Sequence, residues 1–135
     1  MNVLIVEDNK PLAEGLGEIL ACRGVEVFFA FDGREAIDLI SKHSFDAGLI
    51  DQRLPFCSGL DLVPLLSKQE SCGTVIVITG EVNSDLDRRA SAVGASALLM
   101  KPFSPTQVLK LLGLESVDNV GSTLGVGRVA HLGRP

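Results

Sequence analysis

MNVLIVEDNKPLAEGL, residues 1–16, begins with an apolar run from Val3 to Val6 that suits a buried β-strand. The run ends in two adjacent carboxylates, Glu7 and Asp8, and a segment with helical spacing follows at once. Two like charges about 4 Å apart repel each other by about 4 kcal/mol at an effective dielectric constant near 20. We therefore expect a positively charged partner beside this acidic pair.

The alternation of strand and helix continues along the chain. Apolar, strand-like runs occupy residues 3–6, 25–30, 47–50, 74–79 and 97–100. Helices are predicted at 11–22, 34–42, 58–67, 84–93 and 105–112. Strands apolar enough to be covered on both faces predict a parallel sheet between two layers of helices. With right-handed crossovers, the pattern predicts a doubly wound, five-stranded α/β fold.

Length and charge exclude several classes of function. The 135 residues suffice for one domain, and no apolar run approaches the length of about 18 residues typical of a transmembrane helix. A formal net charge of -5, with no run of Lys and Arg and no Trp or Tyr, argues against direct nucleic-acid binding. Three cysteines without metal-like spacing argue against a disulfide framework or a zinc site. We expect a cytoplasmic protein that does not bind membranes.

The composition changes after the last predicted helix. Ser104 and Pro105 are suited to the N-cap and the first position of that helix. Residues 115–135 are rich in glycine and show no sustained hydrophobic period. We expect one folded domain over residues 1–114 and a flexible Gly-rich tail or truncated linker over residues 115–135.

Polar or small residues stand at the carboxyl ends of four predicted strands, the edge where doubly wound sheets bind ligands. They are Glu7 and Asp8 after the first strand, Asp51 at the third, Thr79 and Gly80 at the fourth, and Lys101 after the fifth. Three crowded carboxylates would lose solvation and repel one another. Their charge of -3 is cancelled by the +1 of the lysine and the +2 of a magnesium ion. Such a site suits phosphoryl transfer, with Asp51 as the nucleophile.

Four motifs resemble the receiver domains of two-component response regulators, such as the chemotaxis receiver. They are LIVEDN at 4–9, LIDQRLPFCSG at 49–59, VIVITG at 75–80 and LLMKPF at 98–103. The intervals of 43, 28 and 22 residues that separate Asp8, Asp51, Thr79 and Lys101 are also similar to those of the family. The resemblance covers residues 2–112 and implies a flavodoxin-like sheet with strand order 2-1-3-4-5.

The resemblance implies the chemistry of the acidic residues. Asp51 would accept a phosphoryl group from the phosphohistidine of a sensor histidine kinase or a phosphotransfer protein. Asp8, Asp51 and the backbone carbonyl of Arg53 would bind Mg²⁺ directly, and Glu7 would reach the ion mainly through water. The protein would thus be a phosphoacceptor with intrinsic self-phosphorylation and autodephosphorylation chemistry rather than an enzyme that acts on a separate substrate.

The resemblance also assigns roles around the phosphoryl group. Thr79 would donate a hydrogen bond to it, Lys101 would pair with its oxygens, and Gly80 would leave room for it. The peptide bond from Lys101 to Pro102 would be cis. Output to an effector domain or protein would run through the face of the fourth helix and fifth strand. Leu98 departs from the family, which has Tyr or Phe there, so we interpret this leucine as passive packing.

Alternative functions remain open on the residues alone. A flavin-binding flavodoxin would want a hydroxyl- and glycine-rich loop where this chain has EDNKPL, and a haloacid-dehalogenase-like phosphatase would want an acid at Arg53. A non-phosphorylated pseudo-receiver that acts as a protein-interaction module is the main alternative. The chain could also be a stand-alone receiver or the receiver part of a longer regulator.

Overall fold

A computed structural model of the chain describes residues 1–81 and 83–114, and the backbone of residues 129–131. In chain order its elements are β1 (Asn2–Val6), α1 (Lys10–Ala21), β2 (Glu26–Ala30), α2 (Gly33–Lys42), β3 (Ala47–Asp51), β4 (Arg53–Leu54), β5 (Cys57–Ser58), a 3-10 turn (Gly59–Asp61), α3 (Val63–Ser67), β6 (Thr74–Thr79), α4 (Ser84–Val93), β7 (Ala97–Met100), α5 (Pro105–Leu111) and β8 (Val129–His131).

The main sheet confirms the predicted doubly wound fold. Its strands lie in the order β2-β1-β3-β6-β7-β8, and every pair except β7–β8 is parallel. When the short hairpin of β4 and β5 is left out, the five parallel strands have the order 2-1-3-4-5. The reversal of strand order lies between β1 and β3, so the ligand-binding edge is expected where these two strands end.

Two apolar clusters cover the two faces of the sheet. On one face, Val3 and Ile5 of β1 pack with residues of α1 and α5. On the other face, Leu4 and Val6 pack with residues of α2, α3 and α4. Alternate side chains of a strand point to opposite faces, so β1 is apolar throughout because both of its faces are buried. Among the described residues, no helix is long and apolar enough to cross a membrane.

The turn after β1 places the first carboxylates. The side chain of Asn9 accepts a hydrogen bond from the amide of Leu12 at 3.1 Å and caps α1. The amide of Asn9 in turn donates to the Oε2 atom of Glu7 at 3.1 Å. Strand and helix are therefore joined through a carboxylate that belongs to the functional edge. Ser104 caps α5, as its sequence predicts, and the structure adds a reciprocal capping box between Ser104 and Gln107.

The predicted helix at 58–67 is wrong in its first half. The structure has a strand residue, a 3-10 turn and then only five α-helical residues, Val63–Ser67. Gly59 is the cause, because its amide donates to the carbonyl of Gln52 at 2.8 Å and a Cβ atom at this position would collide with the carbonyl of Asp51. The chain is thereby held against the end of β3, and α3 can begin only beyond it.

The structure also contains a strand that the sequence did not predict. Within the expected tail, β8 pairs antiparallel with β7, so that Val129 lies opposite Leu99 and His131 opposite Ala97. A parallel edge strand such as β7 presents unpaired backbone groups that a further strand can bond. Residues 115–128 and 132–135 of the expected tail lie outside the described residues.

We propose, as the composition suggests, that residues 1–114 fold without the rest of the chain. Ending the chain at Leu114 is expected to lower the free energy of unfolding by less than about 2 kcal/mol, because changes away from the core usually have small effects. Chemical denaturation of both forms measures the difference. A larger loss would show that the pairing of β8 with β7 is an integral part of the domain.

Candidate functional site

Three carboxylates meet at the carboxyl edge of β1 and β3. Glu7 and Asp8 follow β1, Asp51 is the last residue of β3, and a carboxylate oxygen from each lies within 4.8 Å of the other two. Glu7 is 1% exposed and Asp51 6% exposed, whereas Asp8 faces solvent. The reversal of strand order separates the chain segments above β1 and β3, which leaves this acidic cluster open to ligands.

Lys101 supplies the positive charge that the acidic pair requires. It directly follows β7, and its Nζ atom lies 3.1 Å from Oε1 of Glu7 and 3.4 Å from Oδ2 of Asp51. Burial opposes the charged ammonium, but the Glu7 and Asp51 carboxylates outweigh it and raise the pKa of Lys101. The lysine therefore stays protonated and bridges the two most buried acids.

A single ammonium does not neutralise the cluster. Burial raises the pKa of Glu7 from its ordinary value of 4.5 to about 7, against the amide of Asn9 and the ammonium of Lys101, and Asp51 adds to the rise. Oε1 of Glu7 has the Lys101 ion pair but no well-directed hydrogen bond. Oxygen ligands from three carboxylates match the preference of a hard divalent cation, so the residues fit such an ion.

A cleft of about 330 Å³ lies beside the acidic cluster. It is lined by Asp51, Arg53, Gly80, Glu81 and Lys101. An ion pair of 3.7 Å joins Arg53 to Glu81 at its rim, where the two side chains are 83% and 66% exposed. A Cβ atom on Gly80 would meet nothing within 4 Å, so the space beside this residue is open. The cleft gives a small anionic group access to Asp51 and Lys101.

Thr79 lies at the end of β6, and its hydroxyl contacts the side chain of Gln52 and the backbone of Glu81. The residue is 1% exposed, and its Oγ1 atom lies 2.6 Å from Oε1 of Gln52 and 2.8 Å from the carbonyl oxygen of Glu81. Sequence reasoning missed Gln52. The available signal was a polar residue placed directly after Asp51, beside the buried strand of residues 47–51.

Two further expectations are visible in the structure. The peptide bond between Lys101 and Pro102 is cis, as the resemblance implies. Leu98 is completely buried in β7 and belongs to the apolar cluster that contains residues of α2, α3 and α4. It is therefore a core residue in this state of the molecule.

The fold is that of a receiver domain, and comparison with known proteins agrees. Residues 3–113 match the family described as response regulator receiver domain. The chain belongs to this family. A response regulator receiver protein of Anaeromyxobacter sp. strain Fw109-5 is 41% identical over 108 residues, which are 80% of this chain and 45% of that protein. The chain thus spans about half the length of the curated relatives it matches.

Solved structures are similar across the same region. The chemotaxis response regulator CheY4 of Vibrio cholerae is 32% identical with a TM-score of 0.75, covering 83% of this chain and 95% of that one. A response regulator of Burkholderia pseudomallei, crystallised with a phosphorylated aspartic acid, calcium ion and citrate, is 29% identical with a TM-score of 0.76. That likeness covers 85% of this chain and 66% of the other.

The acidic cluster generates a prediction for metal binding. Titration with Mg²⁺ should shift the amide signals of Asp8, Asp51 and Arg53, and Asp8→Ala should weaken the affinity at least about tenfold, since it removes one of few charged ligands. Asp38→Ala is the matched control, because Asp38 is an exposed acid on α2 that pairs with Lys42. Equal affinity of Asp8→Ala and the unmodified protein would exclude Asp8 as a ligand.

Proposed function

We propose that the protein is a phosphoacceptor receiver in which Asp51 takes a phosphoryl group from a phosphohistidine. The observation that carries this proposal is the placement of Asp51, whose carboxylate lies in the open cleft with the ammonium of Lys101 3.4 Å away. Asp51 is thus a nearly buried carboxylate that solvent can still reach through the cleft. The ammonium of Lys101 and the carboxylate of Glu7 are its charged neighbours.

The transfer conserves charge and electrons. A carboxylate oxygen of Asp51 forms a bond to phosphorus while the bond from phosphorus to the histidine nitrogen breaks, and its electron pair remains on the imidazole. Phosphoryl transfer depends on positioning and on neutralisation of the oxygens. Lys101 is placed to neutralise the incoming oxygens, since its ammonium already lies beside the acceptor. Gly80 leaves the volume that the group requires.

The divalent ion in this proposal is Mg²⁺. Asp8, Asp51 and the backbone carbonyl of Arg53 would hold it, and Glu7 would contact it mainly through water. When bound, the ion supplies neutralisation of negative charge on the acceptor and on the phosphoryl oxygens. The similar structure from Burkholderia pseudomallei, with its phosphorylated aspartic acid and calcium ion, supports a site of this type.

The proposed partners follow from the chemistry. A sensor histidine kinase or a phosphotransfer protein would supply the phosphoryl group in the cytoplasm, and an effector domain or protein would respond to it. The protein would turn over only its own aspartyl phosphate, so we do not class it as an enzyme.

Because Leu98 is wholly buried, we infer that it packs passively and that the response concentrates in the loop after β6 and in α4.

The acceptor assignment gives the first test of this function. Asp51→Asn should reduce acid-labile phosphorylation by acetyl phosphate or by a kinase to background, because an amide is a far poorer nucleophile than a carboxylate. Asp61→Asn is the control, since Asp61 is an exposed acid a short distance along the chain. Label retained by Asp51→Asn would refute the assignment. An unmodified protein that never takes up label would favour the pseudo-receiver.

The rim pair of Arg53 and Glu81 gives a second test. Both side chains flank the open side of the cleft, where water must approach the phosphorylated Asp51. Arg53→Ala or Glu81→Ala should accelerate autodephosphorylation by about fivefold, equivalent to about 1 kcal/mol of barrier, with a smaller effect on phosphorylation. Stability should hardly change, because exposed ion pairs contribute little. Equal effects on both rates would contradict a role in controlling water.

A further inference from the structure

The hydroxyl of Thr79 has more hydrogen-bond acceptors than it can serve. Its Oγ1 atom lies 2.6 Å from Oε1 of Gln52 and 2.8 Å from the carbonyl oxygen of Glu81, and it accepts from the amide of Glu81 at 3.2 Å. A threonine hydroxyl has a single proton to donate. The shorter of the two contacts is the one with the Gln52 side chain, so this contact dominates the position of the hydroxyl.

Gln52 is itself held in place from both sides. Its backbone N–H donates to the backbone carbonyl of Ile78 in β6 at 2.8 Å. Its backbone carbonyl accepts from the backbone N–H of Gly59, also at 2.8 Å. Gly59 packs so closely against Asp51 that no larger residue fits there. The backbone of Gln52 is thus fixed between β6 and the 3-10 turn. Its side chain reaches Thr79 from a rigid base rather than from a loose loop.

The contact has a consequence that rests on the proposed function. A phosphoryl group on Asp51 can accept the Thr79 proton only if the hydroxyl stops donating to Gln52 and to the carbonyl of Glu81, because there is one proton for all of these bonds. The free energy needed to break the contact with Gln52 therefore contributes to the free-energy difference between the resting and the phosphorylated states. A ligand shifts such an equilibrium only through its different affinities for the two states.

We propose that Gln52 is a positioning residue that holds the Thr79 hydroxyl in its resting orientation and so sets how readily the site responds to a phosphoryl group. Removal of the side-chain amide of Gln52 should favour the state in which the Thr79 hydroxyl donates to the phosphoryl group. The hydroxyl would not be left unsatisfied, since the carbonyl of Glu81 remains within reach as an acceptor. The substitution Gln52→Met preserves the length of the side chain and removes only its hydrogen-bonding groups.

The affinity for beryllofluoride, a phosphoryl mimic, in the presence of Mg²⁺ tests this role. Gln52→Met should bind it about threefold to tenfold more tightly than the unmodified protein, as expected for the loss of one competing hydrogen bond. The matched control is the same substitution combined with Thr79→Val, compared with Thr79→Val alone. Without the hydroxyl, Gln52→Met should have no effect on the affinity. An equal effect in both backgrounds, or none in either, would overturn the proposal.

A second measurement needs no phosphoryl group. Three-bond couplings to the Cγ2 methyl of Thr79 report the side-chain rotamer in the free protein, which should be single in the unmodified protein and averaged in Gln52→Met. If the rotamer is released but the unmodified protein neither binds beryllofluoride nor takes up label, the proposed function fails, and Gln52 only holds the Thr79 hydroxyl without setting a response. If binding occurs but the rotamer is unchanged in Gln52→Met, the role of Gln52 fails and the proposed function stands.

Discussion

The contact of one ammonium with two buried carboxylates is the constraint around which the functional edge is arranged. Lys101 arrives from β7, Glu7 from β1 and Asp51 from β3, so the three charges meet only when the sheet is complete. Buried charges are tolerated when they are paired, and Lys101 alone cannot pair with all the acids. The cluster therefore keeps an excess of negative charge, and its carboxylate oxygens are of the type that hard divalent cations prefer.

The surrounding structure keeps this cluster both buried and accessible. The apolar strands remove Glu7 and Asp51 from water, and the reversal of strand order between β1 and β3 leaves the edge open. Gly59 packs the chain after β3 tightly beneath the site, whereas Gly80 leaves space above it. The same residue type thus has two opposite uses, close packing at one position and free volume at the other.

Much of the fold and of the site could be predicted because the relevant signals are local. The five parallel strands agree with their predicted positions to within about one residue, since strands buried on both faces are continuous apolar runs. The helix over 58–67 could not be predicted correctly, because its first residues are held by Gln52 and Asp51 rather than by their own helical preference. Strand β8 depends on the free edge of β7, which no pattern in residues 129–131 reveals.

Periodicity and strand ends are properties of short segments. The sequence alone therefore specified the five parallel strands in their order along the chain, the doubly wound class, and the arrival of Glu7, Asp8, Asp51, Thr79 and Lys101 at one edge. The direction of each polar group was decided by packing. Thr79 and Gln52 are 27 residues apart, and their hydroxyl and amide meet only because β6 lies against the end of β3. Hydrogen bonds between distant segments depend on distances of a few tenths of an ångström, and only the packed tertiary structure sets those distances.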